Sequence, residues 1–592
     1  MKDFLPSRVE LAAVEPYRIP QFERAGFLRL DINEHPGGAP AFVVEAVHAA
    51  LSAQSIATYP VYSQWLSTAA EYFGVGLDEV TCTAGGDEAI KAICEAHLLP
   101  GKALLALEPG YDMFKVWAQL YGNPQRGVAL LDGFALDEAA WLDALQPDLG
   151  LVAIVTPNNP TGTLFPRALV EETLRRVQCP VVVDETYGEF VGESVADLLP
   201  ANPHLFIIRS FSKVHGLAGL RAGAVLSQAQ NIEALRRVLN PFNVNRAAIA
   251  ASLAVMHRPD HTARHVAEIT SARTEFVQAL AQMGIETGPA NANFVLANLG
   301  DKAGLCTQKL QEEGILIRNR TGSHPRLAGW CRIAIGTPLQ MRRCAGALRK
   351  ILMPPPELDA LLVDMDGPMV DVSHSYRRAI VWTAKALLGQ YGAPPEAIDL
   401  VDDARVEVLK RKGGLNNDWD CTAALIAEFG VRVGFEEVKD AFQSLYWGDK
   451  GDGLIESEPF RVSHAVRDRI AARFRTAIVT GRPREEALFT LRRNDCTNLW
   501  HVVVAMEDVS AQKPAPEGIA TALALLGSNP AGSAYLGDSV DDMAAAKAAG
   551  VLPIGVLAAS STWSDGLCER LYQAGAVAVF ASIEEVVAWL GA

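Results

Sequence analysis

The 592-residue chain lacks most of the features that mark specialised classes of protein. Its nine cysteines form no C-x-x-C pair, which argues against a disulfide framework and a cysteine-based zinc site. No apolar run is long enough to cross a bilayer, and the N-terminus lacks the apolar core of a signal peptide. A formal net charge of −16 argues against nucleic acid or a membrane as a partner. Together these absences predict a cytoplasmic protein.

The composition is that of an ordinary globular protein, with 49% hydrophobic and 21% charged residues. The chain is too long for one hydrophobic core, so we expect more than one domain. The clearest boundary is the proline-rich stretch 353–357, because successive prolines favour an extended spacer. We therefore predict domains at 1–352 and 358–592, which should fold independently when the chain is cut near Pro355.

In the first half, apolar strands alternate with helical segments, which favours an α/β fold with a parallel sheet. The polar residues that follow three of these strands are Asn159, Asp184, Tyr187 and Lys213. Such a sheet binds ligands at the carboxyl ends of its strands. A lysine that forms a Schiff base, a carboxylate for a pyridinium nitrogen and donors for a phenolic oxygen meet the needs of pyridoxal phosphate. Taken by itself, Lys213 could equally be a solvated loop lysine.

Several motifs in this half resemble those of fold-type I aminotransferases, in particular histidinol-phosphate aminotransferases. They include N-E-H-P at 33–36, N-P-T-G at 159–162, D-E-T-Y at 184–187 and S-F-S-K-V-H-G-L-A-G-L-R-A-G at 210–223. The resemblance covers about residues 10–350. It implies a large parallel-sheet domain with a small domain, pyridoxal 5'-phosphate as cofactor, glutamate and 2-oxoglutarate as a substrate pair, and a homodimer.

The resemblance also implies a role for each matching residue. Lys213 is the Schiff-base lysine and proton shuttle, and Asp184 pairs with the pyridine nitrogen. The other implied cofactor contacts are Asn159 and Tyr187 at the ring 3-oxygen, Tyr111 on the ring face, Gly86, Asp87, Ser210, Ser212 and Arg221 at the phosphate, and Tyr59 reaching that phosphate from the partner subunit. Arg318 and Arg332 match positions that hold substrate anions, which a guanidinium grips through two parallel hydrogen bonds. His35 departs from the asparagine usual at its position.

After the linker the strand pattern starts again and leads to a second set of polar residues. These are Asp364 and Asp366, Thr480, Lys513, and Asp538 with Asp542, each group near the end of an apolar strand or in a loop. Two carboxylates two residues apart, with others on a later loop, can hold one Mg²⁺. A carboxylate that attacks phosphate needs such a metal and a lysine to offset negative charge, and a second carboxylate can serve as acid and base.

This pattern resembles the haloacid dehalogenase superfamily of phosphatases over about residues 357–592. The resemblance implies a Rossmann-like domain with a helical cap over about 371–473. Its residue roles are Asp364 as nucleophile, Asp366 as acid and base, Thr480 for the phosphoryl group, Lys513 for charge, and Asp364, Asp366, Asp538 and Asp542 for Mg²⁺. Pro368 stands where the family has threonine, so a proline lies beside the nucleophile. The stretch 412–420 is either a substrate-facing loop or a polar turn.

The two halves together predict a bifunctional enzyme. The first would transfer an amino group from glutamate to a phosphorylated carbonyl compound, and the second would remove the phosphate. Imidazole-acetol phosphate, histidinol phosphate and histidinol, which are successive compounds of histidine biosynthesis, fit both steps. One alternative is the same chemistry on another phosphorylated amino compound in a specialised pathway. Another is an active aminotransferase with a non-catalytic regulatory module, and a remote third is a pyridoxal-phosphate-dependent transcription factor.

Overall fold

The computed structural model describes residues 9–14, 22–411, 417–559, 561, 563 and 566–591. They divide into two compact units, Met1–Met341 and Arg342–Ala592. Both units are α/β, as the sequence predicts. Among the described residues, no helix has the length and apolar character needed to span a bilayer.

The first unit contains two sheets. Its strands are β1 (Leu28–Leu30), β2 (Val80–Thr83), β3 (Ala103–Glu108), β4 (Gln125–Ala129), β5 (Leu149–Val155), β6 (Val181–Asp184), β7 (Leu205–Ser210), β8 (Gly223–Ser227), β9 (Phe294–Asn298), β10 (Ile315–Asn319) and β11 (Trp330–Ala334). The large sheet has seven strands in the order β2-β8-β7-β6-β5-β3-β4, and β8 runs antiparallel to both neighbours. The small sheet has the order β1-β10-β11-β9. A large, mostly parallel domain with a small second domain is therefore confirmed.

Helices cover both faces of the large sheet. The helices of this unit are α1 (Ala41–Ala50), α2 (Ala53–Ile56), α3 (Ser63–Phe73), α4 (Gly86–His97), α5 (Asp112–Leu120), α6 (Glu138–Asp143), α7 (Arg167–Arg176), α8 (Ala229–Val238), α9 (Arg246–Met256), α10 (Pro259–Gln282) and α11 (Ala303–Glu312), followed by α12 (Pro338–Leu352) at its end. In β6, Val181 and Val183 pack into one hydrophobic core, while Val182 packs into another. Because successive side chains of a strand point to opposite faces, the central strands are apolar on both sides.

The strand order also explains how residues distant in sequence meet. Strands β5, β6 and β7 are neighbours and run parallel. Asn159, Asp184 and Lys213 lie at or just after their carboxyl ends. These three side chains are therefore brought to one edge of the sheet.

The second unit is built on one fully parallel sheet. Its strands are β12 (Ala360–Val363), β13 (Arg475–Val479), β14 (Val502–Val504), β15 (Ser533–Gly537), β16 (Leu552–Val556) and β17 (Ala578–Phe580). They are arranged in the order β14-β13-β12-β15-β16-β17. Its helices are α13 (Tyr376–Gln390), α14 (Pro395–Asp399), α15 (Asp403–Arg411), α16 (Asp418–Ala427), α17 (Phe435–Tyr446), α18 (His464–Arg473), α19 (Arg484–Arg493), α20 (Glu517–Leu526), α21 (Val540–Ala548), α22 (Leu567–Ala574) and α23 (Ile583–Trp589). A Rossmann-like second half is thus confirmed.

Helices α13 to α17 share a hydrophobic core of their own and form the helical insertion after β12. Helix α18 does not belong to it, because Val466 and Ile470 pack with Val587 of α23 in the core of the sheet domain. An antiparallel bridge between Val370 and Phe460 closes the insertion at its base. The expected end near residue 473 therefore includes a helix of the sheet domain.

The division between the units falls inside α12, before the proline-rich stretch. Two residues after Met341 have partners in the second unit, and the first of them is Arg343, which pairs with Glu569 at 2.8 Å. The Lys350 ammonium donates to the Val579 carbonyl at 3.1 Å, and the Trp589 indole donates to the Lys350 carbonyl at 3.2 Å. A cut near Pro355 would therefore remove a packing element from the second unit, which the proline pattern did not indicate.

Candidate active sites

A cavity of about 130 Å³ lies at the carboxyl edge of the large sheet. The sequence-predicted residues that line it are Gly86, Asp87, Tyr111, Asn159, Asp184, Tyr187, Ser210, Ser212, Lys213, Arg221 and Arg332. Tyr59 and Arg318 are not among its lining residues. The first predicted set thus converges on one cavity, with two exceptions.

Lys213 lies part-buried at the centre of this set. Its ammonium nitrogen donates to the Ile32 carbonyl at 3.3 Å. Burial, followed by the nearby positive charge of Arg332, lowers the pKa of Lys213 to about 8. A substantial share of the amine is therefore neutral near physiological pH and can act as a nucleophile.

Asp184 is the last residue of β6, Tyr187 follows the strand, and both are buried. The Asp184 carboxylate accepts from the Thr186 N–H at 2.9 Å, and burial raises the pKa of Asp184 to about 6. The Tyr187 hydroxyl accepts from the Asn33 amide at 3.0 Å. Asn33 received no role from the sequence, although the N-E-H-P motif that contains it was a usable signal.

One end of the cavity is suited to an anion. Helix α4 begins at Gly86 with no side-chain cap, so the N–H groups of its first turn remain available. Arg221 extends over this turn, and a Cβ at Gly85 would lie 2.6 Å from its guanidinium. The guanidinium is 3.4 Å from the Ser212 hydroxyl and 3.1 Å from the Asp87 carboxylate. Asp87 would thus serve an anion through its backbone N–H, because its carboxylate would repel it.

Arg332 on β11 enters the cavity from the small sheet. Its guanidinium donates to Asn159 Oδ1 at 2.7 Å and to the Asp31 carbonyl at 2.9 Å. Arg318 on β10 lies directly opposite Arg332 in the strand register. Opposed residues of antiparallel strands project to the same face, so Arg318 shares that face without lining the cavity.

Tyr59 lies on the surface, with 74% of its area exposed. It stacks on Phe242, which is 51% exposed, at a ring-centroid distance of 4.3 Å. Val61 beside it is also exposed. Tyr59 is therefore absent from the cavity of its own chain and contributes to an apolar surface.

His35 lies against a second histidine on α10. Its Nε2 is 3.3 Å from His265 Nδ1, and the rings stack at a centroid distance of 4.1 Å. Burial lowers the pKa of His35, and burial together with the other histidines lowers the pKa of His265 to about 3. The departure from the usual asparagine thus places a neutral imidazole pair here.

A second cavity, of about 300 Å³, lies at the carboxyl edge of the sheet in the second unit. Asp364, Asp366, Lys513 and Asp538 line it. The Lys513 ammonium is 3.0 Å from the Asp364 carboxylate and 2.6 Å from that of Asp542. Carboxylate oxygens of Asp364, Asp538 and Asp542 lie within 4.8 Å of one another. Most of the second predicted set thus also converges.

Negative charge is concentrated at this point. Burial and neighbouring carboxylates raise the pKa of Asp364, and burial followed by Asp542 raises the pKa of Asp538 to about 7. Burial acts to lower the pKa of Lys513, but the adjacent carboxylates of Asp364 and Asp542 raise this pKa well above its usual value. Crowded oxygen ligands with one ammonium among them fit a divalent cation such as Mg²⁺.

Three predicted residues of this set behave differently from the others. Asp542 is fully buried, and its oxygens accept from Lys513 and, at 2.7 Å, from the Ser539 hydroxyl that caps α21. Thr480 does not line the second cavity, and its hydroxyl accepts a hydrogen bond from the Arg482 backbone N–H at 3.2 Å. The Asp366 carboxylate is outside the group of three carboxylates. Through its hydrogen bond with the Lys513 ammonium, Asp542 therefore holds that side chain in position.

Pro368 occupies a turn whose neighbouring donors are satisfied. Gly367 donates to the Val370 carbonyl at 2.9 Å, while Met369 and Val370 donate to the Met365 carbonyl at 3.2 and 3.0 Å. The turn thus closes through the N–H groups on either side of the proline.

Of the predicted loop 412–420, residues 412–416 lie outside the described residues. Asn417, Asp418 and Trp419 line the second cavity. This part of the stretch faces the site, in agreement with the substrate-facing alternative.

Arg482 is an important residue of this site that sequence reasoning missed. It is buried, and its guanidinium donates to Asp366 at 2.6 Å, to Glu458 at 2.9 Å and to Thr490 at 3.2 Å. Its charge also lies 5.2 Å from the centre of the Tyr376 ring. Arg482 therefore fixes the direction of the Asp366 carboxylate. The signal in the sequence was its position two residues after Thr480.

Replacing Arg482 with methionine should destabilise the second unit by about 3–5 kcal/mol, because the buried Glu458 carboxylate and the part-buried Asp366 carboxylate would lose their counter-charge. The matched control is Arg484→Met, which removes an ion pair to Asp508 from a side chain 44% exposed and should cost less than about 1 kcal/mol. Urea unfolding of both variants and the wild type measures the difference. Equal losses would show that the buried arginine contributes no more than a surface one.

Comparisons with known proteins agree with these two sites. The family model of aminotransferase class I and II matches residues 25–348, and that of haloacid dehalogenase-like hydrolases matches residues 458–556. The histidinol-phosphate aminotransferase of Roseiflexus castenholzii is 33% identical over 368 residues, which are 58% of this chain and 97% of that protein. The one from Chromobacterium violaceum is 33% identical over 351 residues, 58% of this chain and 98% of its own.

The fold has solved counterparts as well. The crystal structure of histidinol-phosphate aminotransferase from Sinorhizobium meliloti in complex with pyridoxal-5'-phosphate superposes with a TM-score of 0.54 and 23% identity. It covers 59% of this chain and 98% of its own. The resemblances inferred from the motifs are confirmed in both halves. The chain belongs to the aminotransferase class I and II family, and it carries a haloacid dehalogenase-like hydrolase region after the aminotransferase.

Proposed function

We propose that the protein is a bifunctional enzyme of the cytoplasm. Its first unit exchanges an amino group between glutamate and a phosphorylated carbonyl compound, and its second unit hydrolyses a phosphate monoester with Mg²⁺. The observation that carries the proposal is the convergence of each predicted residue set on its own cavity. The names of the relatives favour imidazole-acetol phosphate and histidinol phosphate as substrates, and hence a role in histidine biosynthesis.

Pyridoxal 5'-phosphate fits the residues of the first cavity. The uncapped start of α4, with Ser210, Ser212 and Arg221, would hold its phosphate, while Asp184 would face its ring nitrogen and Tyr187 with Asn159 its ring oxygen. When bound, the cofactor supplies an electron sink for the carbon that loses a proton. The close approach of Arg221 to Gly85 leaves no room for a side chain there, so glycine at this position allows Arg221 to lie over the start of α4.

The protein's own residues carry the proton and the substrate. Lys213, whose amine is partly neutral near pH 8, can take a proton from one carbon atom and return it to another. Arg332 can hold the carboxylate of glutamate in a bidentate grip, because its guanidinium is oriented by Asn159 and the Asp31 carbonyl. Arg318 on the same face is the candidate for the second anion of a phosphorylated substrate.

A homodimer would explain the position of Tyr59. An exposed aromatic side chain beside other exposed apolar groups suits burial against a second copy of the chain. In such a dimer Tyr59 would reach the cofactor phosphate of the partner subunit, as the resemblance implies.

In the second cavity, Asp364 would attack phosphorus, while Lys513 offsets the charge of the transferred group. Asp366, aimed by Arg482, would give a proton to the leaving alcohol and later take one from the hydrolytic water. Mg²⁺ fits the carboxylates of Asp364 and Asp538 and would lower the repulsion between phosphate and protein. Because these carboxylates stay clustered beside Pro368, catalysis is better supported than a regulatory module.

One experiment tests the whole proposal. The purified protein, supplied with cofactor and Mg²⁺, is incubated with glutamate and a panel of phosphorylated ketones, and products are read by mass. We expect imidazole-acetol phosphate to give histidinol phosphate and then histidinol with free phosphate. Amination of a different ketone would support the alternative pathway, whereas no amination of any ketone would refute the transaminase assignment.

Arg332→Lys should lower kcat/KM for amino acid substrates, because a single ammonium cannot copy the bidentate grip. The loss should correspond to about 2–4 kcal/mol of activation free energy. Steady-state kinetics with varied glutamate measures the change. The matched control is Arg326→Lys, a half-exposed arginine outside the cavity, which should leave kcat/KM unchanged. If the two variants behave alike, Arg332 does not bind the substrate carboxylate.

A further inference from the structure

The walls of the second cavity carry an excess of negative charge. The charged residues that line it are the carboxylates Asp364, Asp366, Asp371, Asp418, Glu486 and Asp538 and the cations Arg377, Arg482 and Lys513. Arg482 is committed to Asp366 and Glu458, and Lys513 to Asp364 and Asp542. The part of the wall beyond the reacting carboxylates thus has three carboxylates and one guanidinium.

Glu486 on α19 is the most deeply buried of these three carboxylates, with 4% of its area exposed. Its hydrogen-bond partners are neutral donors: the Gln443 amide at 2.9 Å and the Tyr376 hydroxyl at 3.3 Å. Burial raises the pKa of Glu486 to about 7, although the nearby positive charge of Arg482 acts to lower it. Because both hydrogen bonds to this buried carboxylate come from neutral groups, it can gain a charge-assisted hydrogen bond from a cation that arrives with a ligand.

The surroundings of Glu486 are also suited to a cation. The rings of Tyr376, Trp419 and Phe442 line the same cavity and are buried. Aromatic faces attract ammonium groups, and more strongly when water is excluded. Two of these rings already face cations of the protein, because the Arg482 guanidinium lies 5.2 Å from the Tyr376 ring centre and the Lys439 ammonium lies 5.1 Å from that of Trp419.

We propose that Glu486 and these rings bind the ammonium group of the leaving alcohol, so that the second unit hydrolyses amino alcohol phosphates. This inference rests on the proposed function and gives a structural reason for the order of its two reactions. Transamination converts a neutral C=O carbon into one that bears NH₃⁺, and this new charge is what Glu486 recognises. Dephosphorylation therefore follows amination, and the ketone phosphate is a poor substrate.

The chemistry of the step is a simple hydrolysis. A carboxylate oxygen of Asp364 forms a bond to phosphorus as the ester P–O bond breaks, and the leaving oxygen takes a proton from Asp366. Water then attacks phosphorus and gives a proton back to Asp366, which breaks the bond to Asp364 and releases inorganic phosphate. The ammonium group does not react; it holds the leaving alcohol in place while these bonds change.

Three esters on one three-carbon skeleton test the proposal: serinol phosphate, glycerol 1-phosphate and dihydroxyacetone phosphate. They carry NH₃⁺, OH and C=O at the same carbon. Phosphate release by the full chain with Mg²⁺, without glutamate or 2-oxoglutarate, gives kcat/KM for each. We expect serinol phosphate to exceed the other two by tenfold or more. In Glu486→Gln this ratio should fall towards one, whereas Glu485→Gln, an exposed neighbour on α19, should keep it.

Equal kcat/KM for the three esters, or an unchanged ratio in Glu486→Gln, would overturn the inference while leaving the phosphatase assignment intact. Failure to hydrolyse these esters and 4-nitrophenyl phosphate would refute the phosphatase assignment. The inference is then decided by calorimetry on full-length Asp364→Asn, with and without Glu486→Gln. Tighter binding of serinol phosphate than of glycerol 1-phosphate that depends on Glu486 supports it, and equal binding rejects it.

Discussion

Lys213→Ala is expected to abolish covalent attachment of pyridoxal 5'-phosphate and to lower transamination by at least about 10³-fold. The nucleophile and the proton carrier are then lost together, and positioned acid–base groups contribute about 10²–10⁴-fold. Borohydride treatment followed by mass spectrometry of the peptides should find the cofactor on Lys213 in the wild type. The variant should yield no labelled peptide from this region.

The same reaction has a pH dependence that is set by the Lys213 amine. Because the pKa of Lys213 is lowered from 10.5 to about 8, its neutral form grows as pH rises through about 8. The rate of cofactor attachment to the apoprotein should therefore rise with an apparent pKa near 8 and level off above it. Stopped-flow absorbance from pH 6 to 10 measures this rate.

Lys91→Ala is the matched control, since Lys91 on α4 forms an exposed pair with Glu95 at 2.8 Å. It should attach the cofactor and transaminate as the wild type does. Full transamination by Lys213→Ala, or an attachment rate that still climbs at pH 10, would show that another amine does the work.

Asp364→Asn should lower Mg²⁺-dependent phosphate release by about 10³-fold or more, because an amide cannot act as the nucleophile in place of a carboxylate. Transamination by the same protein should persist, since Asp364 is buried in the second unit beside Lys513. Phosphate release from 4-nitrophenyl phosphate and histidinol phosphate measures the first activity. Amino transfer from glutamate measures the second.

The control is Asp359→Asn, an exposed position just before β12 that differs from Asp364 by five places in the chain. It should leave phosphate release unchanged. Retained hydrolysis in Asp364→Asn would remove Asp364 from the nucleophile role, and absent hydrolysis in the wild type would favour the regulatory module marked by Pro368.

Sequence patterns predicted what depends on strand ends. Asn159, Asp184 and Lys213 were identified because each follows an apolar run, and the parallel neighbours β5, β6 and β7 then bring them together. Asp364 and Asp538 follow the neighbouring strands β12 and β15 for the same reason. In a parallel sheet, the end of an apolar run marks the carboxyl end of a strand, and the carboxyl ends of the strands together form the site.

Contacts that depend on packing were not predictable in this way. Arg482 pairs with Glu458 and Asp366, which lie 24 and 116 positions away in the chain. No periodicity links these residues. Helix α18 comes after the insertion along the chain, and its place in the sheet core is decided by contacts with α23. Residues whose role depends on partners far away in the chain can therefore be identified only in the folded structure.

Helix α12 bears on how this gene could change during evolution. The aminotransferase family match runs to residue 348, whereas the residues from Arg342 on are packed within the C-terminal unit. A fission of the gene within this helix would strip the family's terminal helix from one product or a packed segment from the other. The proline stretch after it can lengthen or shorten at little cost. Separating the two halves within this helix should therefore lower the stability of at least one product, which favours keeping them on one chain.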